Sequence, residues 1–81
     1  MGNLLYIVAV AICPMDFAFE CNRAMAPDFH TFWHYRPNLE ECQSFGVAML
    51  EALDFDAATQ QARIYCVRAE GFSAAATFEV P

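Results

Sequence analysis

The sequence predicts an α+β fold: a small β-β-α-β sheet of three strands, or four if the tail adds one, with one helix packed on one face. Three observations lead there. Residues 4–12, LLYIVAVAI, are apolar on both alternating faces, as in a central strand covered on two sides. Residues 29–36, FHTFWHYR, alternate with a period of two and stop at Pro37. From Asn38 onward, apolar residues recur at helical spacing.

The first strand is expected over residues 3–13, ended by Pro14. Residues 15–28 have mixed periodicity and read as a connection, with one helical turn around residues 21–25. In the second strand, residues 29–36, Phe29, Thr31, Trp33 and Tyr35 share one face, and His30, Phe32, His34 and Arg36 the other. Pro37 cannot donate to a sheet ladder and closes the strand.

Asn38 is a good N-cap, and Glu41 three residues on completes the pattern of a capping box. Glu40 and Glu41 lie where the helix dipole favours carboxylates. Cys42, Phe45, Gly46, Met49 and Leu53 make the apolar stripe, opposite Glu40, Ser44, Glu51 and Asp54. The stripe is lost after residues 53–56. The third strand, residues 61–70, puts Ile64 and Cys66 toward the helix and Arg63, Tyr65 and Val67 away, and Gly71 ends it. Residues 1–70 thus form a single domain. Residues 71–81 are an apolar tail, an edge strand or an assembly arm.

Composition narrows the function. Eighty-one residues sit near the lower limit for one hydrophobic core, yet 58% are hydrophobic and twelve are aromatic. The chain is therefore not disordered, and part of this apolar load is expected to meet a partner. The net charge is −6, with ten carboxylates against four arginines and no lysine. That balance opposes binding to phosphate backbones, so no nucleic-acid partner is expected. The nine apolar residues 4–12 are too few for a spanning helix of roughly 20 residues, and MGN lacks the charge of a signal peptide. No membrane association is expected.

Candidate chemistry is sparse. Cys13, Cys21, His30 and His34 have the spacing C-x7-C-x8-H-x3-H, but zinc-finger cysteines stand two to four apart. On a strand the two histidines would also lie about 13 Å apart. No metal or cofactor is expected. There is no G-x-S-x-G elbow and no glycine-rich phosphate loop, and so no enzyme is expected. The aromatics of FHTFWHY lack the basic groove of a base-stacking platform, with only Arg36 nearby. With no sign of export, four reduced, buried cysteines are the favoured reading. If oxidised, Cys42 should pair with Cys66 across the core, and Cys13 with Cys21 around the first loop.

The run YRPNLEECQSFGVAML, followed by QARIYCVR, resembles small, mostly uncharacterised cysteine-containing proteins of tailed bacteriophages and of the α-proteobacteria they infect. In those, a Cys-tipped first strand precedes a Cys-bearing loop, a helix beginning L-x-x-C and a last strand ending near Cys. Cys13, Cys21, Cys42 and Cys66 fall at matching places, and the likeness spans most of residues 4–68. The resemblance implies phage origin, and with it a virion component or an early host-interacting factor.

The expected function is accordingly a non-enzymatic phage-type protein working by protein–protein contact, as a small accessory component of a virion. The alternative is a soluble inhibitor of a host protein, and the third reading a metal-dependent nucleic-acid binder. One helix cannot cover both sheet faces; the other carries Tyr65 and Val67 with either His30, Phe32 and His34 or the Trp33 set, so a homo-oligomer or stable complex is expected, located in the host cytoplasm or the virion. Phe32, His34, Tyr65, Val67, Phe72 and Phe78 are the interface candidates. Deleting residues 71–81 is expected to weaken association more than the fold.

Overall fold

Val- and Ile-rich sequence favours a pleated strand packed on both sides, and Tyr6–Pro14 forms that strand, β1. The computed structural model describes residues 5–80, so the expected strand positions Asn3 and Leu4, and Pro81 of the tail, lie outside the described residues. β2 is Asp28–Arg36, α1 is Leu39–Ala52, β3 is Gln60–Arg68 and β4 is Ala74–Val80. The four strands form one antiparallel sheet in the order β2-β1-β3-β4, an α+β fold. β2 and β3 flank β1, so α1 must cross over β1 to join them. The tail is thereby part of the sheet: β4 is its edge strand.

Every residue of β1 from Tyr6 to Cys13 is buried. Tyr6, Val8, Val10 and Ile12 join Ala62, Ile64 and Cys66 of β3 in the core beneath α1. The odd-numbered residues of β1 face the other way. Two irregularities shape the sheet. Between Val8 and Tyr6 of β1, the partners on β2 run from Phe32 to Arg36, four steps against two. A smaller shift in β4 lies where Cys66 and Val67 of β3 meet Ala76 and Ala74.

The helix begins as its cap dictates: Asn38 Oδ1 accepts the Glu41 backbone N–H at 2.8 Å, with Glu40 and Glu41 in the first turn. It ends at Leu53, whose N–H reaches the Met49 carbonyl at 3.0 Å, and Asp54 turns the chain with φ of 59°. Cys42, Gly46 and Leu50 are its buried spine, flanked by half-buried Leu39, Phe45 and Leu53. Leu50 was not on the expected stripe. It holds the central place assigned to Met49, which is only half-buried. The rotation follows from how closely the helix sits. A Cβ on Gly46 would stand 2.5 Å from Ile64 Cγ2, and Ile64 is fully buried with no room to move. Gly46 thus sets the line of closest approach, and its i±4 neighbours fall on that line. Cys42 is disulfide-bonded to Cys66, with Cα atoms 6.1 Å apart.

β4 changes what truncation should do. Phe78 and Val80 pack against the edge of the helix-side core, and the strand pairs with β3 from Ala62 to Val67. Removing residues 71–81 would expose the β3 edge and part of the core, so the tail cannot be a dispensable arm.

Denaturant unfolding should rank the helix seat. Leu50→Ala is expected to cost about 2–5 kcal/mol as an emptied core site. Gly46→Ala should cost about 1–3 kcal/mol by overpacking against Ile64. Glu51→Ala should stay under about 0.5 kcal/mol. A Met49→Ala loss equal to that of Leu50→Ala would contradict the arrangement.

Candidate functional site

The sheet face away from α1 is lined by Ile7, Ala9, Ala11 and Cys13 of β1, all buried although no helix covers them. Their cover comes from two sources. At one end the β1–β2 connection, residues 15–27, folds back over the sheet. Its anchor is the disulfide between Cys13 and Cys21, with Cα atoms 5.9 Å apart. Phe17 and Ala26 of the connection, together with Phe29 and Tyr65, pack on Ala11 and these two cysteines. Asn22 shapes the turn, its Oδ1 accepting the N–H groups of Ala24 and Met25, each at 3.0 Å.

An ion cluster fixes the same loop from the side. Arg63 Nη2 donates to Glu79 of β4 at 3.0 Å, and Arg63 Nη1 lies 3.7 Å from Glu20 of the loop. Tyr65, and then Glu79, push the Arg63 pKa up from a value already far above neutrality, and desolvation opposes them. Arg63 is therefore charged at every physiological pH and holds two carboxylates that would otherwise add to the acidic surface.

The second cover is aromatic and incomplete. Tyr65 and Phe29 meet across β1 with ring centroids 6.1 Å apart, and Trp33 and Phe72 meet edge-on at 6.3 Å. Between the two pairs lies a groove of about 260 Å3. Ile7 and Ala9 line it from β1, while Thr31 and Val67 contribute from the strands either side. Ala9 pairs with both Thr31 and Tyr65, so its single methyl leaves the hollow. Trp33 lies in the irregular part of β2, where extra residues re-aim a side chain. Phe72 sits at φ of 56° in the β3–β4 turn, beside Gly71 at 83°. The left-handed region costs a non-glycine residue roughly 1–2 kcal/mol. Trp33 and Phe72 are 62% and 60% exposed, among the most solvent-facing large apolar side chains described. Among the described residues, Arg23 is the one charged residue lining the groove, its guanidinium 5.9 Å from the centre of the Phe29 ring.

Of the expected interface residues, Tyr65, Val67 and Phe72 meet at this groove. Phe32, His34 and Phe78 do not. Phe32 and His34 approach Phe45 of the helix at 6.1 and 5.6 Å, and Phe78 packs into the helix-side core. Ile7, Ala9, Arg23 and Ala74 were missed, while Phe29, Thr31 and Trp33 belong to the β2 face that stood as the alternative to Phe32 and His34. Alternation along β2 had already grouped Phe29, Thr31 and Trp33. What it lacked was the register with β1 that decides which group faces the helix.

The described groove lining is apolar and aromatic apart from Thr31, the Tyr65 hydroxyl and Arg23. All four cysteines are in disulfides, contrary to the reduced state favoured above. Cys13 and Cys21 therefore have no thiolates for a metal, and His30 and His34 lie on the opposite side of the sheet. Among the described residues no three metal-ligating side chains cluster, and no helix is long and apolar enough to cross a membrane. Comparison with family models, curated proteins and solved structures gives no match for this chain.

Trp33 is the only tryptophan, so its fluorescence reports on the groove. Phe72→Ala should increase acrylamide quenching of Trp33 while leaving the far-ultraviolet circular dichroism unchanged. Unaltered quenching would mean that the two rings do not shield each other.

Proposed function

We propose that the chain is a non-enzymatic protein-binding component, docking through the aromatic groove opposite the helix. The observation that carries this reading is the pair Trp33 and Phe72, two large rings held in water at the mouth of an apolar hollow. Leaving apolar area exposed costs about 25 cal/mol per Å2, and aromatic anchors beside a pocket are the usual energetic centre of an interface. The occupant that fits is an apolar residue of a partner protein with a carboxylate beside it, since Arg23 is the charged group among the described lining residues.

The resemblance to phage proteins gives that partner a class, a neighbouring protein of the virion, with this chain as a small accessory component. The two cystines support a place on the particle rather than in the host cytosol. Disulfides persist on virion surfaces and in oxidising compartments, and are rare where glutathione keeps thiols reduced. A host-directed inhibitor acting in the cytosol would have to keep its fold under reducing conditions.

Particle incorporation tests the reading. Quantitative mass spectrometry of purified particles from the source of this chain should find it in repeated copies. A chain carrying Trp33→Ser and Phe72→Ser should fold normally and be lost from the particles. Particles without the wild-type chain would overturn the virion role, and incorporation of the double variant would overturn the groove as the contact.

A further inference from the structure

A second surface stands open at the other side of the sheet. Sheet edges expose unpaired backbone donors and acceptors, and proteins blunt them with bulges, prolines and charges. The two edges here are treated differently. β2 is bounded by Pro27 and Pro37, is interrupted by its two-residue irregularity, and has one carbonyl occupied: Arg36 Nε donates to the Tyr35 oxygen at 3.1 Å. β4, AAATFEV, carries no cation, and its irregularity is confined to Ala75, so the run from Ala76 to Val80 is unbroken up to Pro81. Its one carboxylate, Glu79, is paired with Arg63. On a chain of net charge −6, the β4 edge thus carries a single carboxylate, partly offset by the Arg63 that it shares with Glu20.

The helix-side residues of β4 point the same way. α1 packs over β1 and β3 and touches β2, so Ala76, Phe78 and Val80 lie beyond its main footprint and are only half-buried. Another strand laid along β4 would pair the open backbone and cover this apolar surface together.

We infer that a second copy of this chain supplies that strand, pairing β4 with β4 antiparallel about a two-fold axis at Thr77 and joining two sheets into one of eight strands. The strand is self-complementary in this register. Each Ala76 lies opposite the second copy's Phe78, small against large, and Thr77 meets Thr77, a favourable cross-strand pair. Glu79 falls opposite Ala75 and not opposite another carboxylate. An isologous contact of this kind closes on itself as a dimer. It uses neither Trp33 nor Phe72; of the described groove-lining residues Ala74 alone lies on β4, at the end of the ladder, so the two readings are tested separately.

Sedimentation equilibrium on the full chain with its disulfides intact is the test. The wild type should be dimeric at about 200 µM and dissociate on dilution toward about 1 µM, as expected where a short ladder buries less than the standard interface of roughly 800 Å2 per partner. Thr77→Lys puts two cations face to face at the axis and should be monomeric at every concentration, with unchanged circular dichroism. The Trp33→Ser, Phe72→Ser chain should dimerise like the wild type. A wild type monomeric at 200 µM, a dimeric Thr77→Lys chain, or a dimer abolished by the groove substitutions would each overturn the inference. Should Thr77→Lys fail to fold, hydrogen exchange of the wild type decides. Slower exchange of residues 74–80 at high concentration supports the pairing, and concentration-independent exchange refutes it.

Discussion

β1 is buried on both faces along eight consecutive residues, and each other element answers to that. A central strand of this kind needs two covers, and a domain of this length has one helix to give. α1 crosses β1 on one side, drawn down until Gly46 meets Ile64. On the other side, β1 presents small or modest side chains, with Ala9 and Ala11 at its centre. A loop and four aromatic rings can come close enough to exclude water there, where bulky residues would have required a second layer of secondary structure. The groove is where this thinner cover stops short.

Each cover is tied to the sheet by its own cystine. Cys42–Cys66 holds the helix on β3, and Cys13–Cys21 holds the loop on β1, with sequence separations of 24 and 8. Chain-entropy estimates give about 3.5 kcal/mol for the longer closure and about 2.5 kcal/mol for the shorter. Against a net stability of roughly 5–15 kcal/mol for a typical domain, these are large terms. A chain this small often needs such reinforcement. The covers are not equally secure, however. The helix also contributes Leu50 and its capped backbone. The loop relies on its cystine, the Arg63 ion cluster and Phe17.

Local signals in the sequence carried the elements, and long-range geometry carried the rest. The Asn38 cap, the proline stops at Pro14 and Pro37, and the alternation of Ile64 and Cys66 against Tyr65 and Val67 are each decided within a few residues. All could be read directly. The orientation of β2 could not, because both of its alternating faces are aromatic. Only its register on β1, with the irregularity near Trp33, sends Phe32 and His34 toward the helix and Trp33 away. Met49 and Leu50 are neighbours 100° apart on the helix, and the choice between them rests on a Gly46–Ile64 contact across the core. β4 was open to two readings because AAATF is weak in β propensity. Pairing with β3 and burial of Phe78 make it a strand. The cystines likewise depend on two pairs of Cα atoms approaching within about 6 Å, which no spacing in the chain specifies.

The two faces consequently differ in what a substitution there can reveal. On the helix side, the residues are buried in the core, and any change is read first as lost stability. On the groove side the roles separate by depth. Ile7 and Ala9 are buried floor, and Tyr65 and Phe29 join the packing beneath the loop, so altering them perturbs the core. Trp33 and Phe72 are more than half exposed and meet each other edge-on at the mouth of the groove. Their removal should therefore cost the fold little, and Phe72 would shed the strain of its left-handed backbone if glycine replaced it. A side chain kept in a strained conformation, exposed and apolar, at the mouth of a hollow is poorly explained by the needs of folding. The docking proposal gives that cost a role, since a bound partner would cover the ring.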